Sequence, residues 1–261
     1  MDAIERVIRY GRLEVRIFEG AGQLAAAAAS QVADDIRQLL AGRSEINVII
    51  SGAESQQGFH RELAGIGDID WGRINTFSVD EFSAPGIEAR FAVAGQPARD
   101  LYSRVRPKSI NVIDPCAVDP QSEADRYAGV LARHRPDLAC LGIGVSGHIA
   151  FNEPGQTDFA DPHSVRVIRV TETSKTQLLT DPNFLEMGQI PDFAITTTLS
   201  ELMRCPKIYL LVPFRSKAEI VRRFFESDVN PELPATLLKD KEGTVLFLDK
   251  ESASLTPSLA L

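Results

Sequence analysis

Three glycines fall within six residues in Gly142-Ile-Gly-Val-Ser-Gly147, and His148 follows at once. Backbone without Cβ atoms lets a ligand approach closely. Glu153 lies in the same loop. An imidazole exchanges its proton near neutral pH, and a carboxylate beside it on one substrate makes an acid–base pair. A second candidate is Thr76-Phe-Ser-Val-Asp-Glu-Phe82, where Asp80 and Glu81 are adjacent carboxylates at the end of an apolar run. Neighbours on an extended chain point to opposite sides, so one can face a ligand while the other faces the protein. Partial burial raises a carboxyl pKa and suits it to act as a general base. Taken alone, the segment also reads as a solvated Asp-Glu turn. The third candidate is Ser51-Gly-Ala-Glu-Ser55. Backbone N–H groups of Ser51, Gly52 and the residues after them would cradle an anion at a helix start. The charge of Glu54 opposes a phosphate there unless it points away, and a plain turn with Ser55 as N-cap fits as well.

These segments need elements to bring them together. Short apolar, β-branched runs predict strands over 13–18, 46–50, 74–77, 110–113, 138–143, 165–170, 195–198, 208–212 and 244–248. Helical spacing predicts helices over 21–40, 56–63, 97–105, 122–133 and 216–225. Such alternation predicts an α/β fold: one doubly wound, mostly parallel sheet with helices on both faces, a three-layer, Rossmann-like arrangement. With no linker or repeat, residues 1–261 read as a single domain with a loop-rich insert over 151–164. Ligands of such sheets bind outside the carboxyl ends of the strands, where all three candidate segments fall.

Composition narrows the chemistry. The 261 residues carry 28 Lys plus Arg against 36 Asp plus Glu, a net charge of -8. That sign opposes binding to nucleic acid at long range but leaves room for one local basic pocket. Three scattered cysteines give neither a disulfide framework nor zinc spacing, so no metal site is expected. No run reaches the ~18 apolar residues of a membrane helix. The opening Met1-Asp-Ala-Ile-Glu-Arg6 lacks the apolar core of a signal peptide, so a cytoplasmic protein is expected.

Gly147-His-Ile-Ala-Phe-Asn-Glu-Pro154 resembles the signature of the glucosamine-6-phosphate deaminase (isomerase) family, which has a phosphogluconolactonase relative. Its Asn-Glu-Pro ending favours the deaminase branch. Phe77-Ser-Val-Asp-Glu-Phe82 is similar to that family's Phe-Asn-Met-Asp-Glu-Tyr. The resemblance implies an amino-sugar 6-phosphate converted, with water, to a ketose 6-phosphate and ammonia, without a cofactor. It implies Asp80 as the base moving a proton from C2 to C1, His148 in ring opening, and Glu153 in the same relay. Glu81, Ser51, Gly52 and Gly147 would line the substrate. Members occur as monomers and hexamers, so a homo-oligomer stays open.

The sequence departs from that family in three places. Ser146 stands where the family has an Asp that orients the imidazole; a hydroxyl brings no charge, so a weaker ring-opening step is expected, and Ser146→Asp would strengthen it. Ser51-Gly-Ala-Glu-Ser55 replaces a Thr-Gly-Ser/Gly-Thr-Pro phosphate loop. The family's phosphate-binding Arg falls near Leu178 to Pro182, where none occurs. Phe214-Arg-Ser-Lys217 matches the family's Gly-Ser-Gln-Lys, so Lys217 is expected on the phosphate, with Lys175 or Arg215 in place of the missing Arg. The proton-transfer groups are thus kept better than the phosphate grip, which implies an altered substrate preference. A sugar-lactone hydrolase and a non-catalytic sugar-phosphate sensor are the alternatives.

Overall fold

The Val-, Ile- and Leu-rich runs form strands much as their composition dictates. A computed structural model describes residues 6–259; residues 1–5, read above for a targeting segment, lie outside the described residues. Eleven strands occur among the described residues: β1 (Arg6–Tyr10), β2 (Leu13–Phe18), β3 (Ile46–Ile50), β4 (Ile74–Ser78), β5 (Asp80–Ser83), β6 (Ser109–Asn111), β7 (Leu138–Leu141), β8 (Val165–Arg169), β9 (Phe193–Thr197), β10 (Lys207–Val212) and β11 (Thr244–Asp249). Eight of them make one sheet in the order β1-β2-β11-β10-β7-β3-β4-β6. Every pairing in it is parallel except the β1–β2 hairpin.

The main helices are α1 (Ala21–Gly42), α2 (Glu54–Gly65), α3 (Pro120–Arg133), α4 (Glu172–Leu178) and α5 (Ala218–Glu226). α3 begins at Pro120, behind Asp119, whose side chain accepts from Gln121 N. Side chains of successive strand residues enter opposite layers. Val48, Ile50, Leu138 and Cys140 pack with α1 and α2, whereas Ile49, Ala139 and Leu141 pack with α3 and α5. Two cores therefore clamp the sheet, as a parallel sheet requires.

Three expectations need correction. The strands near 165–170 and 195–198 do not join the main sheet: β8 and β9 pair antiparallel with each other and, through β9, with β5 in a separate three-stranded sheet. In Val165-Arg-Val-Ile-Arg169, Val165 packs into one of the two main cores and Ile168, on the opposite face of the strand, into a separate small core with Phe82 and Ala194, while both arginines are exposed. Asp80 and Glu81 open β5 instead of closing β4. The stretch over 97–105 is a short helical turn, Gly95–Pro97, continued by a π-helical turn, Ala98–Tyr102. β1 and α4 were not foreseen.

From β3 the chain adds β4 and β6 on one side; from β7 it returns and adds β10 and β11 on the other. The order reverses between β3 and β7, and a crevice at such a switch point is where open α/β sheets bind ligands. Among the described residues, no helix is long and apolar enough to cross a membrane.

Candidate active site

The carboxyl ends of four neighbouring strands converge: β4 delivers Asp80, β3 Ser51 and Gly52, β7 the glycine loop with His148, and β10 Lys217. All line a cleft of about 80 Å³. It communicates with a larger cavity of about 620 Å³ through shared walls, among them Ala53, Gln177, Asp181 and Lys217.

β4 ends at Ser78, and Val79 carries the chain into β5. Asp80 is 7% exposed, and its carboxyl has no hydrogen-bond partner among the described residues. Burial, and then the neighbouring Glu81 charge, push its pKa well above the usual carboxylate range. Glu81 points the other way. Its carboxylate accepts from Phe82 N (2.9 Å), Val93 N (2.8 Å) and Ala94 N (3.0 Å). Burial raises its pKa to about 7 against those hydrogen bonds. Glu81 is therefore a strut for residues 93–94 and not a substrate ligand, which corrects the expectation. Its effect reaches the cleft by contact, because a Cβ on Gly52 would lie 2.3 Å from Val93 O. Only glycine fits there.

The glycine loop after β7 is held by Gly144 N donating to His148 O and Gly147 N donating to Gly144 O. The His148 ring lies over Gly144, where a Cβ would come 2.0 Å from Nε2. Gly147 has φ +94° and faces Leu233, where a Cβ would clash at 2.3 Å. It shapes the loop and does not line the cleft, another correction.

His148 Nδ1 meets Ser146 Oγ at 2.8 Å and Ser174 Oγ at 3.1 Å. Ser146 Oγ also lies 3.3 Å from Glu153 Oε2, which accepts from Thr171 Oγ1 at 3.2 Å. With Nδ1–H donated to Ser146 and the Ser146 hydroxyl donated to Glu153, one proton chain is satisfied end to end, and Nε2 is left as acceptor at the cleft. Glu153 is fully buried. Burial alone would raise its pKa, but His148, Ser174 and Thr171 hold it below the ordinary value. The carboxylate of Glu153 lies 3.5 Å from Nδ1, so the imidazole does have a charged partner despite the serine at 146.

Lys217 caps α5 at the end of the turn after β10. It is 8% exposed, and its ammonium has no hydrogen-bond or ion-pair partner among the described residues. Burial lowers its pKa to about 8, while Asp181 and Glu54 pull it back up. Phe214, at the position of the family's Gly, adopts φ +84°, held by its N–H on the Asp249 carboxylate. The proposed substitutes for the missing Arg are elsewhere. Lys175 pairs with Glu172 (2.9 Å) and Asp192 (2.5 Å) outside both cavities, and Arg215 is bonded to Ser254.

Ser51 Oγ is buried in the same cleft and has no hydrogen-bond partner among the described residues. Ser55 is not the cap of α2; Ala53 holds that position, and Glu54 N donates to Asp181 Oδ2 at 3.1 Å. Sequence reasoning missed Ser174, Gln177 and Asp181. The signal was Thr171, whose hydroxyl accepts from Ser174 N as a helix cap and announces α4.

Known proteins resemble this chain in sequence and in fold. Residues 19–247 match the family of glucosamine-6-phosphate isomerases/6-phosphogluconolactonase. A glucosamine-6-phosphate deaminase of Bacillus cereus is 31% identical over 188 residues, 72% of this chain and 70% of its own. One from Streptococcus suis is 27% identical over 221 residues, 85% and 92% of the two chains. The fold superimposes on a monomeric glucosamine-6-phosphate deaminase with TM-score 0.81 at 24% identity, covering 92% of this chain and 99% of the other. It also superimposes on the Thermotoga maritima 6-phosphogluconolactonase with TM-score 0.71 at 19% identity, covering 90% and 99%.

Proposed function

Because the chain belongs to the family of glucosamine-6-phosphate isomerases and 6-phosphogluconolactonases, we propose that it is an amino-sugar deaminase of the aldose–ketose isomerase type. Its substrate would be a gluco- or galacto-configured amino sugar, as the free sugar or its 6-phosphate, in cytoplasmic carbohydrate metabolism. The observation that carries this assignment is Asp80: a buried carboxyl with no hydrogen-bond partner among the described residues, in the same cleft as His148.

The reaction needs a group at the ring oxygen and a base that reaches two adjacent carbons. His148 moves the proton between O1 and the ring oxygen, so the pyranose opens to the aldehyde. Its Nδ1 is fixed by Ser146 and Ser174, and Glu153 stabilises the cationic ring. Asp80 as carboxylate removes the C2 proton while O1 takes up a proton from solvent, which gives an enolamine; that proton is released again when water adds at C2. The same carboxyl returns a proton to C1, leaving an iminium at C2. Water adds to C2, the C–N bond breaks, and ammonia leaves with the ketose. A hydrolase acting on a lactone would have no carbon acid for Asp80.

Ammonia and ketose release from glucosamine and from glucosamine-6-phosphate tests the assignment, with Asp80→Asn as control. Release by the wild type alone is expected. Folded wild type that releases no ammonia from either sugar yet hydrolyses a sugar lactone would overturn it.

A further inference from the structure

The larger cavity adjoins Lys217, where the family resemblance places a phosphate, yet its charges are wrong for one. Glu54, Glu172 and Asp181 line it with Lys217; Glu172 is paired with Lys175 at 2.9 Å, which leaves Glu54 and Asp181 to face Lys217. The first free N–H of α2, on Glu54, is the donor a phosphate would take at a helix start. It is already given to Asp181 Oδ2 at 3.1 Å. An incoming phosphate would meet these carboxylates, and like charges brought together across an interface are costly. The remaining polar wall is neutral, with Thr173, Thr176 and Gln177 among its members.

A second observation shows that this region is built to hold something. Lys217 is 8% exposed, lines both cavities and has no partner among the described residues. A buried polar group of that kind needs a ligand to satisfy it. One ammonium donates three hydrogen bonds, which sugar hydroxyls can accept as well as phosphate oxygens.

We propose that the substrate enters with an uncharged, hydroxyl-bearing end in this cavity, bound through Lys217, and that Asp181 and Glu54 select against a phosphate on that end. The proposal rests on the amino-sugar deaminase assignment and specifies its substrate class. The carboxylate of Asp181 occupies the helix-end donor that an anion would use, and Glu54 adds a second charge beside it. Both are positioning and specificity residues; neither touches the reacting carbons.

The test compares kcat/KM for glucosamine and glucosamine-6-phosphate in the wild type and in an Asp181→Asn, Glu54→Gln double variant. Wild type is expected to favour glucosamine by about tenfold or more, and the double variant to shift that ratio toward the phosphate by a similar factor. A wild type that favours the 6-phosphate, or a ratio unmoved by the double variant, overturns the proposal. Thermal stabilisation of Asp80→Asn by each sugar gives the same comparison without turnover. Stabilisation by glucosamine and not by its 6-phosphate supports the selection even if no ammonia is released, a result that would sink the deaminase assignment alone. Stabilisation by the 6-phosphate alone, or by neither sugar, overturns the selection, whatever the turnover result.

Discussion

The cleft and the larger cavity share walls but are built on opposite principles. In the cleft, at the ends of β4 and β7, each group holds one geometry. His148 is seated on Gly144 and tied through Ser146 to Glu153, and Asp80 is left free by a neighbour that props residues 93–94. In the cavity, α4 and the segment after it supply threonines, a glutamine and carboxylates around one lysine. Proton transfer and recognition of the substrate's far end are thus set by different stretches of chain, so one can be rewritten without disturbing the other.

Substitutions in the cleft should break turnover while leaving affinity intact. The largest effect is expected for Asp80→Asn: kcat falling by about 10³-fold or more, with ligand binding kept, because the shape survives and the base does not. Steady-state rates together with calorimetric binding would check this. Next comes the relay. Glu153→Gln removes the charge behind His148 and is expected to lower kcat by about 10²-fold with KM nearly unchanged. Ser146→Asp, which sequence alone suggests would help, sets a second carboxylate 3.3 Å or so from the place Glu153 Oε2 already occupies. A loss of activity is the expected outcome, and a gain would show that the serine, not Glu153, limits ring opening.

Smaller effects report on the strut. Asp80 acts as carboxylate, so kcat/KM should rise with pH through its elevated pKa. Glu81→Gln removes a negative neighbour that keeps that pKa high, and the acid limb of the pH profile is therefore expected to move to lower pH. A limb that stays in place would assign it to another group. Gly52→Ala forces a Cβ against the Val93 carbonyl and should cost about 1–3 kcal/mol of stability. Thermal unfolding would read this as a melting point lower by about 2–4 °C per kcal/mol.

Much of this was legible in the residues. Ile46-Asn-Val-Ile-Ile50 and Leu138-Ala-Cys-Leu141 announce buried parallel strands, and the Gly-His segment follows a strand end as expected, whereas Asp80-Glu81 opens β5 just beyond the end of β4. Sheet membership was not legible for β8 and β9, because apolar β-branched content is shared by both kinds of sheet. Which carboxylate of Asp80-Glu81 faces the cleft depends on where the chain leaves β4, and no local pattern fixes that. Glu54 did speak against a phosphate from sequence. Asp181 could not, since its hydrogen bond to Glu54 N spans a sequence distance that only the fold closes.

The central claim is that Asp80 takes the C2 proton. Glucosamine and glucosamine-6-phosphate deuterated at C2 test it most directly, with the label followed by NMR in wild type and Asp80→Asn. The account predicts that wild type transfers the deuteron to C1 or solvent with a primary isotope effect, and that the variant leaves it at C2. Loss of label from the variant at the wild-type rate, or a wild type that leaves C2 labelled in both sugars, would contradict it.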